Sequence, residues 1–209
     1  MPRPLPSFAS TLLLALLISD SVHSQEKPKE IETDRPDVTQ YTVPKGSLQL
    51  ENGIAWTGDE SARDFDLTES LLRVGVGSTT EFRIGVPDYF YRLGKAITPQ
   101  SGFGDLLIGV KQRLGEVGGF DIAVVPAVTF PTGATGWSSG GIDPQLEFPW
   151  QRELSQRWAI SGTVGVFDLT ENGGRKPVGE CQVELEREIG KRDDAFVEFQ
   201  AYGPKTRSR

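Results

Sequence analysis

Residues 71–86 read LLRVGVGSTTEFRIGV. Leu72, Val74 and Val76 occupy alternate positions against Leu71, Arg73 and Gly75, and after a polar turn Phe82, Ile84 and Val86 alternate with Glu81, Arg83 and Gly85. A period of two marks a strand whose two faces meet different surroundings. Here one face is apolar and the other carries charge or glycine.

The same rule extends in both directions along the chain. Towards the N-terminus, Leu48, Leu50, Ile54 and Trp56 share a face opposite Gln49, Glu51, Gly53 and Thr57. Towards the C-terminus, Leu106, Ile108, Val110 and Leu114 oppose Asp105, Gly109, Lys111 and Arg113. Phe120, Ile122, Val124, Val128 and Phe130 then oppose Asp121, Ala123, Ala127 and Thr129, with Pro126 interrupting the expected ladder. Further alternating runs begin near Ile142, Trp158, Cys181 and Ala195. Glycine and proline punctuate these runs every ten to fifteen residues or so, and no helical period is sustained for two turns. The expectation is about nine strands in an all-β antiparallel fold.

The ends have a different character. Arg3 precedes the apolar run Thr11–Ile18, and Val22-His23-Ser24 places small residues before a cleavage point, so residues 1–24 read as a secretory signal peptide. The apolar run falls well short of the roughly 20 residues that span a bilayer. Removal of residues 1–24 takes away one cation, Arg3, and one anion, Asp20, so the net charge stays at −7. Residues 25–46 form a polar leader, 47–203 the β domain and 204–209 a basic tail expected to be disordered.

Composition excludes several classes of function. An acidic chain lacks the basic footprint that nucleic acid requires. The single cysteine, Cys181, permits no internal disulfide, and the one histidine, His23, lies inside the signal peptide. Histidine-based catalysis and histidine-ligated zinc are thereby excluded from the exported chain, and no cofactor or metal site is expected. Carboxylate chemistry is the enzymatic alternative that remains, with pairs drawn from Glu51, Glu81, Asp105 and Glu147. The glycines of Gly102-Phe103-Gly104-Asp105 precede a strand rather than a helix, which argues for a turn and against a phosphate loop.

Two architectures bury strands of this kind. A soluble sandwich presses apolar faces together and turns charge to water, whereas an outer-membrane barrel turns the apolar face to lipid and the charged face to the lumen. Periodicity does not choose between them. Strands of about nine to eleven residues lean to the barrel, as do aromatics near strand ends (Trp56, Phe130, Trp150, Trp158) and a mixed-sign polar face. In a barrel the expected lumen-lining set is Glu51, Arg73, Glu81, Arg83, Asp105, Lys111 and Arg113, with the acids pairing the cations across neighbouring strands.

Four segments, taken in order, carry a resemblance: TDRPDVTQYTVPKGSLQLENG (33–53), LLRVGVGSTTEFRIGV (71–86), GFGDLLIGVKQRL (102–114) and FPTG (130–133). Their order and spacing resemble the outer-membrane transporter-like family described as "putative MetA-pathway of phenol degradation", over about residues 32–203. The resemblance implies an up-and-down outer-membrane β-barrel, non-catalytic, with outer-membrane lipid as its surroundings and small solutes, aromatic or hydrophobic ones included, as its cargo. It also implies a short leader, periplasmic or tucked into the lumen, whose Asp34, Arg35 and Asp37 would pair with barrel charges while Pro44 and Gly46 turn the chain into the first strand. Such a leader would serve as a cap or as a gate. Relatives continue beyond the strand at 195–202 with further hairpins, so a C-terminally truncated barrel is expected. The alternative to the channel is an exported, non-catalytic β-sandwich that binds a ligand or partner.

Overall fold

A computed structural model describes residues 39–58, 62–94, 97–190 and 193–203, and the signal peptide, the leader residues Asp34, Arg35 and Asp37 and the tail 204–209 lie outside them. Among the described residues every regular element is a strand. In chain order these are β1 (Leu48–Glu51), β2 (Ile54–Gly58), β3 (Ala62–Leu67), β4 (Ser70–Gly75), β5 (Thr80–Val86), β6 (Tyr89–Gly94) and β7 (Ile97–Phe103). The longer strands follow: β8 (Leu106–Val117), β9 (Phe120–Phe130), β10 (Asp143–Ser155), β11 (Trp158–Glu171), β12 (Gly174–Glu188) and β13 (Asp194–Gly203).

They form a nine-stranded sheet in the order β1-β4-β5-β8-β9-β10-β11-β12-β13 and a four-stranded sheet in the order β2-β3-β6-β7. All pairings are antiparallel. The small sheet grows out of the large one, since β1 leads into β2, β3 into β4, β5 into β6 and β7 into β8 across breaks of two residues. Reciprocal backbone hydrogen bonds between Gly53 and Glu69, and one from Gly104 to Asp88, bridge the break line. The sheet is not closed: β1 and β13 stand at its two edges.

The sequence reading has no strands at 62–67, 89–94 and 97–103, and the break line is the reason. On β4 the face carrying Arg73 holds odd-numbered residues, whereas its continuation on β3 holds Asp64 and Asp66, because Thr68 (φ 59°) and Glu69 shift the phase by one. The same exchange occurs at Pro87-Asp88 and at Gly104-Asp105. A one-residue insertion swaps the faces, so a strict period of two cannot be followed through it.

Tight hairpins join the long strands at one end. Val117 and Phe120 flank Gly118 (φ 63°) and Gly119 (φ 84°), which is the two-residue turn whose twist matches the strands it joins. At the other end Glu171 and Gly174 flank Asn172 (φ 53°) and Gly173 (φ 78°) in the same manner. As expected, Pro126 interrupts its ladder, on the β8 side, where the register passes from Gly109 opposite Ala127 to Gln112 opposite Val124 with no pair at Pro126. It lies within β9 opposite Leu146, its side chain on the exposed face, while Ala123, Val125 and Ala127 are buried.

The polarity of the large sheet is inverted relative to a water-soluble protein. Arg73, Glu81 and Lys111 are fully buried, whereas Leu48 is 65% exposed, Val164 50% and Val197 76%. The apolar face read from the sequence is the exposed one. The charged and glycine-bearing face is the inner one, and there the chain buries what it can.

Candidate functional site

The inner face is organised by Arg73 on β4. Its Nε and Nη2 donate to the two oxygens of Glu81 on β5 (2.9 Å each), and Nη1 donates to Glu51 Oε1 on β1 at 2.9 Å. Register explains the meeting: Gln49 lies opposite Arg73, Arg73 opposite Arg83, and Glu81 opposite Lys111. Two guanidiniums directly across from each other repel, and Glu81 lies between them, with Arg83 Nη1 at 3.4 Å and Lys111 Nζ at 3.9 Å. Charges this deep persist only when each is paired and hydrogen-bonded.

A segment of backbone adds further partners to this cluster. The carbonyl of Tyr41 accepts from Arg73 Nη2 at 3.0 Å and from Lys111 Nζ at 3.1 Å, while the N–H of Val43 donates to Glu81 Oε2 at 2.7 Å. Gln40 reaches Gln151 on β10 at 2.6 Å, and the Arg113 guanidinium lies 5.9 Å from the centre of the Tyr41 ring. Gly46 N–H then donates to the Gly75 carbonyl and Ser47 leads into β1. Residues 40–46 therefore cross the inner face from β10 to β4, with Gln40 and Val43 buried. Gly75 makes the crossing fit, because a Cβ there would collide with the Pro44 carbonyl oxygen and lie 2.5 Å from that of Val43.

Of the seven residues expected on the inner face, Glu51, Arg73, Glu81, Arg83 and Lys111 come together in this cluster. Arg113 lies farther along β8 and pairs with Asp121 on β9. Asp105 serves elsewhere: it occupies the break between β7 and β8, and its oxygens accept from the backbone N–H groups of Gly133 (2.8 Å) and Ser139 (2.9 Å). It anchors the β9–β10 loop rather than balancing a cation. Burial alone would raise its pKa, yet these N–H groups, with the hydroxyls of Ser138 and Ser139, hold the carboxyl below its ordinary value.

The four acids named for the hydrolase alternative are distributed over the sheet. Glu51 and Glu81 both bind the same guanidinium, Asp105 is committed to its loop, and Glu147 sits on β10 opposite Val125. Among the described residues no group of acids or cysteine is arranged to hold a metal ion. The leader contacts at Tyr41 and Val43 are made by main chain, which no residue type advertises, and the expected pairings of Asp34, Arg35 and Asp37 lie outside the described residues.

Removing the shared anion should be the most damaging single change to this face. Glu81→Ala leaves Arg73, Arg83 and Lys111 buried around a missing carboxylate, and a loss of about 3–5 kcal/mol is expected in urea unfolding of the detergent-refolded protein. Glu51→Ala, which leaves Arg73 its bidentate partner, should lose clearly less. An equal loss in the two variants would contradict the central place given to Glu81.

The Asp105 anchor gives a pH dependence. Its folded-state pKa is depressed, so its contribution is present in full above the unfolded carboxylate value and disappears as pH falls through the folded one. Acid should release the 131–142 loop, and Asp105→Asn should flatten the acid limb of a stability profile while leaving the neutral plateau lower. A profile of unchanged shape would show that the anchor does not titrate.

A family model described as "Putative MetA-pathway of phenol degradation" matches residues 33–187. No curated protein and no solved structure matches the chain.

Proposed function

The chain belongs to the family of that description, and from this premise we propose that the nine-stranded sheet is wall of an outer-membrane β-barrel that passes small solutes, aromatic or hydrophobic ones included, with residues 40–46 acting as an internal plug. The observation that carries the proposal is the inverted polarity. Exposing a side chain such as Leu48, Leu50 or Val197 to water forfeits roughly 1.5–3 kcal/mol of burial each, and burying Arg73, Glu81 and Lys111 away from water adds a further penalty. Lipid against the apolar face removes the first cost, and a polar lumen explains the second arrangement.

A soluble sandwich would need a second sheet about 10 Å away, covering the apolar face. That face is instead the accessible one. Aromatic placement is in keeping with lipid: Phe120 and Trp150 meet edge to face at 5.7 Å near the short-turn end, with Arg152 over Phe120 and Arg187 over Trp158. Cationic side chains lying over outward rings suit the headgroup level. The turns β4–β5, β8–β9, β10–β11 and β12–β13 share one end with the entry of the leader, and the longer β9–β10 loop, the Asn172-Gly173 turn and the four-stranded sheet stand at the other. In outer-membrane barrels the short turns face the periplasm, which is the side from which a plug at the N-terminus would enter.

Fractionation tests the wall: the exported protein should sediment with outer membranes, resist alkaline carbonate and require detergent for release. Recovery as a soluble periplasmic protein would overturn it. The plug has its own test, because Gly75→Ala alters no charge and yet places a methyl group against the carbonyls of Val43 and Pro44. Lys45 is already exposed, and expulsion of the segment should free the backbone around it, speeding tryptic cleavage there, and should raise the rate of solute-driven liposome swelling severalfold. Unchanged cleavage and unchanged swelling would remove residues 40–46 from any part in permeation.

A further inference from the structure

Residues 131–142, between β9 and β10, are tied down along their whole length. Where they leave β9, the Leu106 N–H donates to Thr132 Oγ1 at 3.0 Å. Across the middle, Gly133 and Ser139 donate to the two oxygens of Asp105, and the Ala134 N–H donates to the Phe103 carbonyl at 2.8 Å. Where they rejoin β10, Arg175 donates to the Ile142 carbonyl at 2.8 Å, and Asp143 accepts from the N–H and the hydroxyl of Thr170, at 2.8 and 2.6 Å. A connection with this many anchors is a strap and not a free loop.

The ties turn the strap inward, over the inner face of the four-stranded sheet. Register places Ala55, Asp66, Phe90 and Gly102 in one row of that face and Thr57, Asp64, Arg92 and Gln100 in the next. Trp137 lies parallel to Phe90, with ring centres 5.0 Å apart and planes 4° apart. Arg92, which donates to both oxygens of Asp64, sits 5.5 Å from the centre of the same indole. Glycine is required for the approach, since a Cβ on Gly102 would lie 2.5 Å from Trp137 and 2.7 Å from Ala134. Between strap and sheet an open cavity of about 410 Å³ remains, with Phe90, Arg92 and Trp137 in its lining. That volume is towards the lower end of the range in which small organic molecules are held.

We propose that the strap is a second constriction in series with residues 40–46, and that the Trp137 indole sets the upper size of the solutes that pass. The proposal rests on the channel reading above. A solute moving along the inner face past the break line meets the indole at the end opposite the leader. A size filter needs bulk that does not swing aside, and this ring is fixed by its stack on Phe90, by Arg92 and by the anchored backbone on either side. Two barriers in series divide the work: the leader segment limits the rate for every solute, whereas the strap decides which is the largest. Net charge plays no part in such a filter, so neutral probes suffice.

Neutral mono-, di-, tri- and tetrasaccharides, in liposome-swelling assays of the full chain, separate the two barriers. Gly75→Ala should speed swelling severalfold and leave the largest admitted sugar unchanged. Trp137→Ala added to Gly75→Ala should raise that limit by at least one sugar unit, and so should Gly102→Ala in the same background, because its methyl group displaces the indole. Chymotrypsin reads the displacement without a membrane: in detergent, cleavage after Trp137 should be at least tenfold faster in Gly102→Ala than in the parent. An unchanged size limit in both double variants, with Gly75→Ala still conducting, would overturn the filter and leave the channel standing. Cleavage as fast in the parent as in Gly102→Ala would show a loop that is not strapped down and would overturn it too. Swelling by none of the variants would overturn channel and filter together.

Discussion

The guanidinium of Arg73 is the constraint from which the inner face follows. It is fully buried, planar and permanently charged, and its donors reach a different partner on each side: Glu51 on β1, Glu81 on β5 and the Tyr41 carbonyl of the leader. A guanidinium suits this place better than an ammonium would, because its fork fixes direction as well as charge. Once Arg73 is set, Glu81 is set between Arg73, Arg83 and Lys111, and the leader is held through the Tyr41 carbonyl, which accepts from Arg73 and Lys111. Burial makes each pairing obligatory rather than optional. In water the same contacts would contribute little; with no solvent to replace a lost partner, each holds the next in position.

Glycine is the complement to this crowding. The inner face alternates long charged side chains with positions that have none, and a backbone segment can lie on the sheet only where a side chain is missing. Gly75 accommodates the leader and Gly102 accommodates the indole of Trp137. The two sites are thus built by one device, a chain segment laid over a glycine and fastened by a carboxylate: Glu81 to Val43 in the first, Asp105 to Gly133 and Ser139 in the second. They differ in what remains open. The first is filled by the protein's own backbone, the second retains a cavity.

Much of this was legible because a half-polar strand writes its faces into alternate residues. The nine strands of the large sheet were anticipated, as was the grouping of Glu51, Arg73, Glu81, Arg83 and Lys111, since one register places them all on one side. What alternation could not convey was any feature that breaks it or dispenses with side chains. The phase shifts at Thr68-Glu69, Pro87-Asp88 and Gly104-Asp105 concealed three strands and moved Asp105 out of the cluster. Residues 40–46 are held in part by a carbonyl and an N–H, at Tyr41 and Val43, which side-chain patterns do not reveal. The aromatic stack of Phe90 and Trp137 joins residues far apart in the chain, and only the loop's anchorage brings them together.

The edges of the large sheet set the hardest physical condition on the wall. Eight antiparallel steps separate β1 from β13, so the two edge strands run in the same direction and could meet each other only as a parallel pair. They are also unlike: β1 offers four residues before the break line, β13 ten, and β13 is exposed on both faces, with Val197 and Phe199 among its most accessible residues. In water such a strand is a template for pairing with any other chain. Lipid would answer the side-chain half of the problem by covering Val197 and Phe199. It worsens the backbone half, because every unpaired N–H and C=O along β13 costs on the order of several kcal/mol where no water can reach it. The wall is stable in a membrane only with that edge paired, and direction dictates that a strand continuing the antiparallel pattern beside β13 must run opposite to β1.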